Sequence, residues 1–153
     1  MSDEARGYML PSKTVEWGTP QDLFDELHAE FDFTLDVAAS HENAKLPRYF
    51  TEEEDGLKQD WAGERCFMNP PYGYGIKHWV AKAYRETHSP FSRAKLVVGL
   101  LPVRSDTAWF HDHVYGKAEV RFLRGRLKFN GGKGAATFPS MIVIWRDKIE
   151  ELS

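Results

Sequence analysis

The chain has 153 residues, which is enough for one domain with a real core and short for two. With 42% hydrophobic and 14% aromatic residues it is typical of a globular protein, and this composition excludes a collagen-like or disordered chain. The net charge of −3 argues by itself against a polyanionic partner, but acidic residues dominate residues 1–76 and basic residues dominate residues 77–133. A basic surface is therefore expected in the second half, although scattered, solvated charge is the alternative.

The apolar runs and the cysteine content indicate a compartment. The longest apolar run, around residues 96–102, has the length of a strand and falls short of the ~18 residues of a membrane span. The N-terminus lacks a basic-then-apolar signal, and Cys66, the one cysteine, cannot form an internal disulfide. We expect a protein of the reducing cytoplasm with no membrane contact.

The first half of the chain begins without clear periodicity. Residues 1–14 are predicted to be a flexible tail, and residues 15–153 a single domain. A helix is predicted over residues 20–31, with Thr19 as its cap and Pro20 in the first helical position. A short strand over residues 33–37 follows, and the acidic run at residues 52–55 is predicted to be a solvated turn.

The second half contains the clearest strands. The elements predicted there are a strand at 66–68, a helix at 76–87, a strand at 95–101, a helix capped by Ser105, extended segments at 119–123 and 127–129, a glycine-rich loop at 130–134, and a strand at 141–145. Alternation of strands and helices, followed by consecutive strands, predicts an α/β sandwich. Its sheet should be mostly parallel with an antiparallel pair at the C-terminal end.

In such sheets, ligands bind beyond the carboxyl ends of the strands, where Asp36, Asn69, Pro102 and Arg104 fall. The loop Asn69-Pro70-Pro71-Tyr72 has the chemistry for a planar amino group. Its prolines stiffen the backbone and give up their N–H groups, so that the Asn69 amide and the Pro70 carbonyl become adjacent acceptors. Accepting both hydrogens of an NH2 group would favour a tetrahedral nitrogen with a free lone pair, and Tyr72 offers a face for stacking.

A set of basic residues is predicted to contact DNA, and glycines around it would let a loop follow a groove; the set comprises Arg104, Arg121, Arg124, Arg126, Lys128 and Lys133. A solvated hairpin is the alternative for this segment. The histidines have no metal-ligand spacing, so no metal is expected.

The ordered set of motifs resembles the amino-methyltransferases and, more closely, the phage-type DNA N6-adenine methyltransferase (Dam) family. The set comprises Trp17-Gly18-Thr19-Pro20, Leu35-Asp36-Val37-Ala38-Ala39, Asn69-Pro70-Pro71-Tyr72, Leu101-Pro102, Trp109-Phe110, Gly125-Arg126-Leu127-Lys128-Phe129 and Phe138-Pro139-Ser140. The resemblance implies a Rossmann-like sandwich. It also implies methyl transfer from S-adenosylmethionine to the N6 amino group of an adenine flipped out of double-stranded DNA.

The resemblance also implies a cofactor site. The Thr19-Pro20 turn would hold the methionine carboxylate, Asp36 the ammonium group and Asp55 the adenine end, and the full set is Trp17, Thr19, Pro20, Asp36, Ala38, Asp55 and Asn69. Two departures stand out. The segment 37–40 has no Gly-x-Gly turn, and the interval between Asp36 and Asn69 is short, so that either one strand is missing or the connections are minimal.

Several alternatives share this pattern. The same chemistry could act on RNA adenine, on cytosine N4 or on a protein glutamine, and a non-catalytic DNA-binding relative would keep the fold. The basic segment argues against a protein substrate, and the intact Asn69 and Tyr72 argue against a non-catalytic relative. A monomer and a homodimer are both compatible with the sequence.

Overall fold

The structure, a computed structural model, describes residues 18–129 and 136–147. Its helices are α1 (Gln21–Phe31), α2 (Ile76–His88) and α3 (Ala108–His113), and its strands are β1 (Leu35–Asp36), β2 (Arg65–Met68), β3 (Leu96–Pro102), β4 (Glu119–Phe122) and β5 (Ser140–Arg146). A one-turn 3-10 helix, Gly56–Lys58, precedes β2. The predicted tail, the loop at 130–134, Trp17 and Lys133 lie outside the described residues, and a single domain over 15–153 stays a prediction.

The five strands form one sheet in the order β1-β2-β3-β5-β4. Strands β1, β2 and β3 pair in parallel, and β5 is antiparallel to both β3 and β4. The predicted α/β sandwich with a parallel start and an antiparallel end is therefore confirmed. Residues 127–129, predicted to be extended, form no strand. None of the described helices is long and apolar enough to cross a membrane.

Side chains alternate between the two faces of the sheet, as the two-residue period of a strand requires. On β3, Val97 and Leu101 join the core that α2 and α3 cover, whereas Leu96, Val98 and Leu100 join the core that α1 covers. Both cores are buried, which explains why β3 and β5 are continuous apolar runs in the sequence.

Two helix starts differ from the predictions. Helix α1 begins one residue after Pro20, which is its N-cap and offers no side-chain hydrogen bond, so Thr19 does not cap it. Helix α3 is capped by Thr107, whose hydroxyl accepts from the N–H of Phe110, and the predicted cap Ser105 lies outside the helix. Ser, Thr, Asp and Asn all suit a cap, so a sequence with several candidates near a helix start does not choose among them.

The connection from β1 to β2 contains no described strand or α-helix. Tyr49 forms one parallel bridge with Asp36, and the 3-10 turn at Gly56 lies against the end of β1. A β-carbon on Gly56 would lie 2.1 Å from the carbonyl oxygen of Val37, so this close approach requires glycine. The short interval that the sequence shows therefore corresponds to a minimal, mostly irregular connection.

Candidate active site

Asn69 follows the last residue of β2 and faces the start of helix α1. Its Nδ2 donates to Oγ1 of Thr19 at 2.9 Å, although the two residues lie 50 positions apart. Thr19 is 2% exposed, and Pro70 is buried while Pro71 is exposed. Within the described chain, no hydrogen bond reaches the Pro70 carbonyl. The loop thus fixes the Asn69 amide beside a backbone acceptor, as its chemistry predicts.

Tyr72 is anchored at both ends of its ring. Its hydroxyl donates to the Leu100 carbonyl at 3.0 Å, and burial raises the pKa of the phenol well above its ordinary value, which keeps this hydrogen in place. The ring lies edge to face with Phe129 and Phe138, at centroid distances of 6.2 and 5.5 Å. Tyr72 is therefore a rigid aromatic platform at the end of the sheet.

Asp36 ends β1, beside β2, and its side chain is 3% exposed. The carboxylate accepts from the N–H groups of Lys45 at 3.1 Å and Ala38 at 3.4 Å. Burial is the largest effect and raises its pKa to about 6, while these two N–H groups partly oppose the shift. The Lys45 ammonium donates to Gln21. Among the described residues, no side-chain cation forms an ion pair with Asp36. A buried carboxylate of this kind favours a ligand that brings a positive charge.

The 3-10 turn that follows Asp55 lies against the chain just after β1, because Gly56 closely approaches the carbonyl oxygen of Val37. Asp55 has a left-handed backbone, with φ 60°, and its Oδ1 accepts from the N–H of Leu57 at 3.1 Å. The buried indole of Trp61 donates to the Gly56 carbonyl at 2.9 Å and locks the turn. The segments that carry Asp36, Asp55 and Asn69 therefore meet at the carboxyl end of the parallel strands.

The predicted DNA contacts separate into two groups. Arg124, Arg126 and Lys128 are exposed in the segment after β4, and Arg104 is exposed after β3, with Asp106 3.6 Å away. Arg121 differs because it is held by two carboxylates in the described structure.

The Arg121 guanidinium donates twice to Glu30 and once to Glu119, each at 2.7 Å, and lies over the ring of Phe31. These hydrogen bonds raise the pKa of Arg121 above its ordinary value. They tie β4 to helix α1, so Arg121 is the least available of the predicted DNA contacts that the structure describes.

The basic segment is joined to the Asn69–Tyr72 loop by aromatic side chains. Exposed Arg126 and Lys128 alternate with Leu127 and Phe129, which face the core. Phe129 is 3% exposed and contacts Tyr72. The exposed Lys128 is therefore the chain neighbour of a residue that packs against Tyr72.

Three structural supports of this site, Gly56, Phe129 and Phe138, received no supporting role from the sequence, although both phenylalanines belong to its ordered motifs. Gly56 follows an acidic run, which signals a tight turn. The contacts of the two phenylalanines with Tyr72 carry no sequence signal, because an aromatic near a glycine-rich loop is compatible with any core position. No group of three or more metal-ligating side chains occurs within residues 18–129 and 136–147.

Comparison with known proteins identifies the family of the chain. The family model "DNA N-6-adenine-methyltransferase (Dam)" matches residues 9–153. The chain is 32% identical over 140 residues to the DNA N-6-adenine-methyltransferase of Haemophilus phage HP1 (strain HP1c1), and the match covers 86% of this chain and 79% of the phage protein.

A second relative, the DNA N-6-adenine-methyltransferase of Escherichia phage T1, is 28% identical over 113 residues, which cover 72% of this chain and 45% of that protein. The putative methyltransferase YfdM of Escherichia coli (strain K12) is 37% identical over 65 residues, or 37% of this chain and 70% of that protein. Because the family model spans nearly the whole chain, the protein belongs to the DNA N-6-adenine-methyltransferase (Dam) family.

Proposed function

We propose that the protein transfers a methyl group from S-adenosylmethionine to the N6 amino group of adenine in double-stranded DNA. The observation that carries the proposal is the Asn69-Pro70 pair of acceptors, fixed at the end of β2 and next to the strand that ends at Asp36. Family membership supports adenine in DNA as the substrate.

The acceptors act on the nucleophile. The lone pair of an adenine amino nitrogen is delocalised into the ring, so the nitrogen attacks poorly. Hydrogen bonds from its two hydrogens to Asn69 Oδ1 and the Pro70 carbonyl favour a tetrahedral nitrogen and release the lone pair. These dipoles are placed before the reaction begins, so they stabilise the transition state without a strong base.

Tyr72 supports the target adenine by stacking and takes no part in proton transfer. Burial keeps its hydroxyl protonated and bonded to Leu100, so its role is to present a ring on which the adenine stacks. A base paired in a duplex cannot reach an acceptor pair at the end of a sheet, and the adenine must therefore flip out of the helix.

The carboxylate of Asp36 supports S-adenosylmethionine as the cofactor, because it is buried, has no ion-pair partner among the described residues and suits an ammonium group. When bound, the cofactor supplies an electrophilic methyl group on a sulfonium. We assign the methionine part to Thr19-Pro20 and Asp36, with Ala38 beside Asp36, and the adenine part to Asp55.

Double-stranded DNA is the proposed partner, and the exposed Arg104, Arg124, Arg126 and Lys128 are the proposed phosphate contacts. Lys133 belongs to the same proposal, although it lies outside the described residues. Arg121 enters it with the smallest expected effect, because Glu30 and Glu119 already hold its guanidinium.

The test uses S-adenosylmethionine labelled on the methyl group. The protein is incubated separately with unmethylated duplex DNA, with RNA and with bulk protein, and the products are digested to identify the labelled nucleoside or residue. We expect N6-methyladenine from DNA, and we expect Asn69→Ala to lower the rate at least ~100-fold while the protein stays folded. Label on cytosine, RNA or glutamine would refute the proposed substrate, and an unimpaired Asn69→Ala variant would refute the mechanism.

A further inference from the structure

The hydrogen bond between Thr19 and Asn69 has a role that packing alone does not explain. The two residues come from the start of helix α1 and the end of β2, and Asn69 Nδ2 donates to Thr19 Oγ1 at 2.9 Å. Thr19 is nearly inaccessible to solvent, at 2% exposure, so water does not compete for this bond. The hydroxyl of Thr19 also has no capping role in α1, whose N-cap is Pro20.

A side-chain amide has two chemically opposite ends. With Nδ2 directed at Thr19, the other end of the Asn69 amide is Oδ1, which can act only as an acceptor. Rotation of the amide by half a turn would present an NH2 group instead, and two donors would then face the donor hydrogens of the substrate. The orientation of Asn69 therefore decides whether the loop attracts or repels an amino group.

We propose that Thr19 is a positioning residue that holds the Asn69 amide with Oδ1 toward the target amino group. This inference rests on the proposed function and changes the role of Thr19 within it. The resemblance implies that the Thr19 hydroxyl binds the carboxylate of the cofactor, whereas the structure engages that hydroxyl with the catalytic loop. The neighbouring backbone at the start of α1 stays available to the cofactor.

The first test compares Thr19→Val, which keeps the shape without the hydroxyl, with Thr19→Ser, which keeps the hydroxyl. At saturating S-adenosylmethionine we expect Thr19→Val to lower kcat about 10- to 100-fold, which is less than the loss for removing Asn69 itself. Thr19→Ser should stay within about 3-fold of the wild type. The dissociation constant for S-adenosylmethionine, measured by calorimetry, should change little in either variant. A weaker cofactor complex with unchanged kcat in Thr19→Val would overturn the proposal and restore the carboxylate-binding role.

The second test uses the symmetry of a carboxylate. An aspartate in place of Asn69 has two equivalent oxygens, which need no orientation. In an Asn69→Asp background, Thr19→Val should therefore cause little additional loss of kcat. An equal loss in both backgrounds would indicate that Thr19 acts through packing alone, and the proposal would fail.

A third measurement does not depend on turnover. The side-chain amide resonances of Asn69, identified by their loss in Asn69→Asp, should shift in Thr19→Val and stay in place in Thr19→Ser. Unchanged resonances in Thr19→Val would contradict the proposal. If the wild type labels no adenine, the proposed function fails, while these resonances still test the hydrogen bond separately.

Discussion

Asp36 gives the sharpest physical prediction, because its pKa differs so much from that of an exposed aspartate. Burial raises this pKa from 3.8 to about 6. A pKa shift of one unit corresponds to about 1.36 kcal/mol. Ionisation of Asp36 therefore lowers the free energy of unfolding of the cofactor-free protein by about 3 kcal/mol above pH 6. The folded state holds a proton between pH 4 and 6 that the unfolded chain has lost, so the free energy of unfolding falls as pH rises through this window.

Replacing Asp36 with asparagine removes that titration. The amide accepts at one atom only, so one of the N–H groups of Ala38 and Lys45 loses its partner, which costs about 1 kcal/mol at every pH. The difference in unfolding free energy between Asp36→Asn and the wild type should therefore grow by up to about 3 kcal/mol in favour of the variant between pH 4 and 7. Urea denaturation at a series of pH values measures this difference, and parallel pH curves for the two proteins would refute the reasoning.

Ionisation of Asp36 should lower the stability of the free protein but strengthen its binding of the cofactor. An ammonium group beside Asp36 lowers the pKa of the carboxylate, so S-adenosylmethionine should bind more tightly as pH rises through about 6, with release of a proton below that pH. Asp36→Asn should weaken binding about 10- to 100-fold, the range for a hydrogen bond to a charged group, and abolish the proton release. Calorimetry in two buffers of different ionisation enthalpy checks both effects, and a variant that binds as tightly as the wild type would remove Asp36 from the cofactor site.

Three further predictions concern the supports of the site. Tyr72→Phe loses the hydroxyl bond to β3 but keeps the ring, so it should lower the free energy of unfolding by about 1 kcal/mol and leave methylation within about 3-fold; a larger loss of activity would assign the hydroxyl a direct role. Lys128→Glu should weaken DNA binding and reduce the slope of log affinity against log salt by about one or more in a fluorescence titration. Lys95→Glu, at the amino-terminal end of β3 and thus away from the carboxyl ends of the parallel strands, should change neither the affinity nor the slope. Gly56→Ala should destabilise the protein by about 3 kcal/mol in chemical denaturation, because its new methyl group meets a backbone oxygen. Gly75→Ala meets no atom within 4 Å and should cost clearly less, about 1 kcal/mol or below for an alanine at the N-cap of α2; equal effects would argue against the close contact.

The sequence predicted the elements that local pattern determines. Strands β3 and β5 are continuous apolar runs because both faces of the sheet are covered, and α1 shows a stripe at Phe24, Leu27 and Phe31 that lies buried as its spacing predicts. The loop at Asn69 was identifiable because its prolines and its amide have few other reasons to occur together after a strand. Each of these elements is determined by residues close together in the chain, so the local sequence is enough to predict it.

The contacts between distant segments could not be predicted in the same way. Thr19 looked like a helix cap because threonine suits that position, yet its hydroxyl meets an amide from another element. Arg121 looked like a phosphate contact because its charge was visible and its partner Glu30, on a different element, was not. Sequence shows which groups can form hydrogen bonds or ion pairs, whereas the choice of partner depends on how the layers pack.

The identity of the substrate depends on one of these long-range contacts. Two acceptors and an aromatic ring serve any planar amino or amide nitrogen, so Asn69, Pro70 and Tyr72 alone leave adenine, cytosine and glutamine open. Phe129 bears on this choice, because its ring packs against Tyr72 and its chain neighbour Lys128 is exposed. An exposed cation in the segment that packs against Tyr72 favours a substrate that carries phosphates and offers nothing to a neutral glutamine side chain. The contact between Phe129 and Tyr72 therefore supports, independently of the relatives, a nucleic acid as the molecule that enters this site.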